Sequence, residues 1–140
     1  MPHDSQVDRS ALVRRAVALL LGIHGLIHVI GFAVPWRLAI IEGSPFGTTV
    51  AWGMADVGEG GARLLGVAWL VVGAAFVVAA EMVWRRSPTW TATVLVTSVA
   101  SLGVCILGSP AAIAGVVVDL AVLGWLAFAA RPVRSAAVAI

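Results

Sequence analysis

The sequence predicts an all-α integral membrane protein, a single-domain antiparallel four-helix bundle with cytoplasmic N- and C-termini. Three observations predict it. First, the 140 residues are 61% hydrophobic and 11% charged, with a mean hydropathy of +1.03, which is not the makeup of a soluble globular domain. Second, charges avoid four windows, Ala16 to Pro35, Leu64 to Trp84, Trp90 to Leu107 and Pro110 to Ala130, with only Glu81 and Asp119 inside them. Each window holds about 18–21 residues, enough to cross about 30 Å of hydrocarbon at about 1.5 Å per helical residue. Third, the basic residues are all Arg and unevenly placed. Arg9, Arg14, Arg15, Arg85, Arg86, Arg131 and Arg134 fall on one side of the implied topology, and Arg37 and Arg63 on the other. The positive-inside rule puts the richer side in the cytoplasm.

Taken in order, each window reads as a helix, because a chain in lipid must satisfy its own backbone hydrogen bonds. The period-two alternation of a lipid-facing β-barrel is absent. The first window is too long for a cleaved signal peptide and reads as a retained signal-anchor helix ending at Pro35. Residues 36–63 form the one long connection, facing outward, with Trp36, Phe46, Trp52 and Met54 among glycines. They suit an aromatic belt or a cap. Turns at Ser87-Pro88 and at Gly108-Ser109-Pro110 make the later helices antiparallel neighbours. Small residues mark expected contact faces: Gly22 and Gly25, the row Gly66, Gly73 and Ala80, and the set Ala112, Gly115 and Asp119. Thr93, Thr97, Ser101 and Cys105 add a weakly polar stripe on the third helix.

Function must be sought among a few polar groups. Cys105, the single cysteine, excludes an internal disulfide and a multi-cysteine metal cluster. The basic pI near 10 follows from the flanking Arg residues and does not indicate a nucleic-acid partner. No Walker, G-x-S-x-G or dinucleotide motif is present. Glu81 sits four residues before Arg85 near a helix end and reads as an interfacial ion pair. Asp119 is different, because a carboxylate at mid-membrane costs about 2.5–3.5 kcal/mol on insertion scales. It calls for a partner, and His24 and His28 on the first helix are the candidates.

Rise per residue places His24 about 12 Å and His28 about 18 Å from the cytoplasmic end, and Asp119 about 13–14 Å below the outer end. His28 and Asp119 are therefore expected at nearly one level. His24 and His28, four apart, project from one helix face. Three readings are open for them: interhelical fasteners, a proton-handling or ligand-orienting pair tuned by Asp119, or metal or haem ligands. The spacing H-x-x-x-H suits a metal. Yet the H-E-x-x-H motif is absent because Gly25 follows His24, no third ligand is in view, and one haem cannot take both histidines axially. No cofactor is assigned.

The segment His24-Gly25-Leu26-Ile27-His28-Val29-Ile30-Gly31-Phe32 resembles a motif of small, uncharacterised bacterial four-helix integral membrane proteins. Arg63-Leu64-Leu65-Gly66-Val67-Ala68-Trp69-Leu70 is similar to the start of that group's second helix, and Gly115-Val116-Val117-Val118-Asp119 to its fourth-helix motif. The resemblance spans most of the chain, with the double histidine as its specific part. It implies the fold and topology and no established activity. It also implies that position 119, where those proteins more commonly carry Asn, needs a hydrogen-bonding group more than a charge.

The function expected is a small lipophilic ligand or proton bound at His24, His28 and Asp119, with Thr97 and Ser101 lining the site. One alternative is an intramembrane acid–base enzyme, of isomerase or cyclase type, in which His28 transfers the proton and Asp119 orients it. Another is an accessory subunit docked on a larger membrane complex. The expected surroundings are the lipid bilayer of a bacterial cytoplasmic membrane, with a second copy or a larger complex as protein partner.

Overall fold

A computed structural model describes residues 3–43 and 46–129. Among them are four helices, α1 (His3–Ala33), α2 (Gly58–Trp84), α3 (Trp90–Leu107) and α4 (Ile113–Ala129). Two short strands, β1 (Thr49–Val50) and β2 (Ala55–Asp56), pair antiparallel inside the long connection. The apolar part of α1 (Ala11–Ala33), α2 and α3 are each long and apolar enough to cross a membrane, and α4 is apolar but shorter. Arg131 and Arg134, counted in the charge asymmetry, lie outside the described residues.

The helix bounds differ from the apolar windows for local reasons. α1 starts at His3 rather than Ala16, because no Gly or Pro interrupts the chain between His3 and Gly22, and a charged turn is still a helical turn. Its end follows the Pro35 expectation in substance. Leu38 N–H donates to the Ala33 carbonyl (2.9 Å) and Arg37 N–H to that of Val34 (2.9 Å), with Arg37 left-handed at φ 56°, a Schellman closure running through Pro35. α2 starts at Gly58 rather than Leu64, where the Asp56 carboxylate accepts the Gly58 N–H (2.9 Å). This satisfies one of the orphan donors at a helix start. α4 starts at Ile113 rather than Pro110. Residues 110–112 form tighter turns, closed by Ile113 N–H to the Pro110 carbonyl (3.1 Å) and Gly115 N–H to that of Ala112 (2.9 Å).

The pairing of α1 with α2 is antiparallel and unusually close. A Cβ on Gly25 would stand 2.8 Å from the Gly73 carbonyl oxygen, and one on Gly73 would stand 2.8 Å from that of Gly25. Only glycine at both positions lets the two backbones touch. Trp69 lies across Gly31, and Ala80 faces Gly22. The expected row of Gly66, Gly73 and Ala80 thus lines the α1 contact. Nearer the N-terminal end of α1 the core is apolar, with Ala18, Leu21, Phe76, Ala79, Val83, Val94, Val122 and Leu126 buried together.

The loop between α1 and α2 also caps the bundle. The hairpin turn sends Ala51 N–H to the Leu107 carbonyl and Trp52 N–H to that of Ser109, both at 2.8 Å. It thereby satisfies carbonyls at the C-terminus of α3 that have no intrahelical donor. Ala51 (φ 49°) and Trp52 (φ 60°) are left-handed without being glycine, so this docking is obtained against local strain.

Candidate functional site

Four buried polar side chains, His24, His28, Ser101 and Asp119, converge midway along the bundle. Asp119 and Ser101 have no exposed surface, His28 is 1% exposed and His24 5%. Asp119 is the one buried carboxylate among the described residues. α1 supplies the histidines, four residues apart and so on one face. α3 supplies Ser101 and α4 supplies Asp119.

The contacts form a closed set. His24 Nε2 lies 3.1 Å from Asp119 Oδ1, and Ser101 Oγ lies 2.7 Å from Asp119 Oδ2. Ser101 Oγ is also 3.0 Å from His28 Nε2 and a long 3.5 Å from His24 Nε2. On its other side, the His28 ring turns back on its own helix, with Nδ1 2.9 Å from the His24 carbonyl oxygen. A carbonyl only accepts, so His28 Nδ1 carries a hydrogen.

Aromatic rings and small residues shape the space. His24 meets both His28 and Phe76 edge to face, with centroids 4.8 Å apart in each pair. Trp69 covers His28 at 4.9 Å, and Phe76 stands 5.5 Å from the same ring. Both come from α2, which adds no charged or titratable group here. Gly115 lets α4 close in, since a Cβ there would stand 2.6 Å from Cys105 Sγ and 3.9 Å from His24 Cε1. Cys105 is fully buried, with its sulfur 3.9 Å from Ser101 Oγ.

The level match between His28 and Asp119 is corrected by one helical turn: His24 is the direct partner, and His28 reaches Asp119 through Ser101. The first cause is the later start of α4, which carries Asp119 differently from a helix begun at Pro110. The second is the bond from His28 to its own helix, which aims that ring at α3. Thr97 is buried one turn before Ser101, yet no hydrogen bond joins it to the cluster. Among the described residues no group of three His, Cys, Asp or Glu side chains is arranged to hold a metal ion. Glu81 pairs with Arg85 at an exposed site.

Trp69 and Phe76, which wall the histidines, are not singled out as site residues by the sequence. Their spacing of seven on α2, in register with Gly66 and Gly73, is the signal that places them beside α1. Compared with known proteins, the chain matches no family model, no curated protein and no solved structure.

Proposed function

We propose that this chain is an integral membrane protein whose internal cluster of His24, His28, Ser101 and Asp119 binds and exchanges a proton. Both termini lie on the cytoplasmic side of a bacterial cytoplasmic membrane in this reading. Support for the membrane comes from three sufficiently long apolar helices and from the outward-facing side chains of Leu19, Ile23, Leu26, Val71, Val78, Val96 and Val99, all well exposed. In water so much exposed apolar surface would drive association, whereas in lipid it is the solvated face.

The observation that carries the proton is the closed, continuous bonding of two imidazoles, a hydroxyl and a carboxyl group, each nearly or fully buried. Two open grooves of about 340 and 310 Å³ run along α1 and α2 at Ala18, Leu19, Val77 and Glu81 or Leu26. None of the cluster residues lines either of them. An acid–base enzyme would need an organic substrate beside His28, whose ring Trp69 and Phe76 already cover.

The test is a potentiometric titration of the protein in lipid vesicles. Wild type is expected to exchange more protons between acidic and alkaline medium than Asp119→Asn, which folds with the same contacts but cannot ionise. Superimposable titration curves would reduce the cluster to a set of fasteners.

A further inference from the structure

Three contacts run in series: the His24 carbonyl to His28 Nδ1 (2.9 Å), His28 Nε2 to Ser101 Oγ (3.0 Å), and Ser101 Oγ to Asp119 Oδ2 (2.7 Å). Each is short enough to need a hydrogen between its heavy atoms, because two facing lone pairs at such distances repel. The first hydrogen is fixed on Nδ1. The serine hydroxyl owns one hydrogen and can fill only one of the other two contacts. A neutral His28 beside an ionised Asp119 would therefore leave one contact empty.

Resting on the reading of this cluster as a proton site, we propose that at neutral pH His28, Ser101 and Asp119 form a relay that holds one further shared proton and is jointly uncharged. Two arrangements fill every contact. In the first, the Asp119 carboxylic acid donates from Oδ2 to Ser101 Oγ, and the Ser101 hydroxyl donates to the lone pair of His28 Nε2. In the second, His28 is an imidazolium donating from Nε2 to Ser101 Oγ, and the hydroxyl donates to the Asp119 carboxylate. They interconvert by two short transfers. Asp119 Oδ2 gives its hydrogen to Ser101 Oγ as Ser101 passes its own to His28 Nε2, so the hydroxyl ends as it began and no proton is gained or lost.

His24 stands outside this count. Its Nε2–H donates to Asp119 Oδ1 in either arrangement, steering the exchangeable hydrogen to Oδ2. The titratable groups facing the relay are His24 from α1 and Cys105 from α3, with none from α2, which contributes Trp69 and Phe76. Joint neutrality also suits the location, since an unbalanced charge in hydrocarbon is far costlier than a balanced pair. Ser101 is thus a positioning and relaying residue, where the sequence suggests a lining residue on a weakly polar stripe.

The experiment reads the protons directly on the full chain in lipid bilayers at neutral pH. ¹⁵N-histidine solid-state NMR gives the state of each imidazole nitrogen. The infrared carbonyl band that disappears in Asp119→Asn gives the state of the carboxyl group. A carboxylic acid with a neutral His28, or a carboxylate with an imidazolium, supports the relay. A carboxylate with a neutral His28, or a His28 lacking the Nδ1 hydrogen, overturns it. Asp119→Asn adds a second reading, because its amide N–H donates to Ser101 as the acid does, so His28 should be neutral; an imidazolium there would also overturn it. Ser101→Ala should uncouple the two groups and let a carboxylate coexist with a neutral His28, and an unbroken coupling would exclude the serine as the link. These signatures are independent of the titration: a failed titration with an intact inventory removes exchange with the medium, and the reverse removes the relay.

Discussion

Along the α1–α2 seam, two glycines bring bare backbones together, and Trp69 fills the next gap against Gly31. α4, by contrast, meets α1 through polar atoms, with Asp119 between His24 and Ser101. The first contact depends on shape, and any added carbon is a collision. The second depends on donors matching acceptors, so an isosteric amide is tolerated where a smaller apolar side chain is not. The same bundle is therefore intolerant of bulk in one region and of lost hydrogen bonds in the other.

The largest expected effect tests the seam. Gly73→Leu should destabilise the protein by about 3 kcal/mol, the upper end of overpacking costs, because the new side chain meets the Gly25 carbonyl and His28 Cβ rather than a flexible side-chain tip. Unfolding in mixed detergent micelles measures it. A loss below about 1 kcal/mol would show that α1 and α2 can separate cheaply, and the contrast between the regions would collapse.

Next comes the polar junction. Asp119→Ala strips His24 and Ser101 of a common hydrogen-bond partner, and a buried polar group left unsatisfied costs about 1–3 kcal/mol. We expect a loss of about 2 kcal/mol in the same assay, with Asp119→Asn within about 0.5 kcal/mol of wild type. Equal losses for the two variants would show that charge at position 119 holds α4, and not the filling of its hydrogen bonds.

This contrast also explains what the sequence could and could not disclose. Helix number, the α3 bounds and the faces with Gly66, Gly73 and Ala80 follow from apolar run length and small-residue spacing, both of which are local. A shared depth was legible for His28 and Asp119, with His24 on the same helix face and Ser101 as a lining residue on the polar stripe of α3. Which imidazole meets the carboxyl group was not, since it turns on a few ångströms of register set by the turn at residues 110–112 and by the His28 bond to its own helix. The hairpin docking was equally hidden. Ala51 and Trp52 are poor left-handed residues by sequence, and only the unpaired carbonyls of Leu107 and Ser109 account for their conformation.

The docking predicts a smaller effect of opposite sign. Ala51→Gly relieves a left-handed residue while keeping the backbone N–H that Leu107 uses, and should stabilise the fold by about 1 kcal/mol or less. Destabilisation of that size would mean that the Ala51 methyl packs more strongly than its backbone is strained.

The smallest effect concerns the exposed start of α2, far from both buried regions. The Gly58 N–H donates to the Asp56 carboxylate at 2.9 Å, and this bond, followed by one from Thr48, holds the Asp56 carboxyl below its ordinary range. A depressed carboxyl favours the folded form while ionised, so its contribution is present above the unfolded-state value and fades as pH falls through the folded-state one. Acidification should therefore loosen the Gly58 amide first, read as a pH-dependent shift of its NMR resonance, with the Gly73 amide in the seam unmoved. Asp56→Asn should flatten that dependence, because an amide oxygen still accepts the bond but does not titrate. A Gly58 resonance that follows pH equally in both proteins would place the titrating group elsewhere in the loop, with Glu59, ion-paired to Arg37, as the nearest alternative.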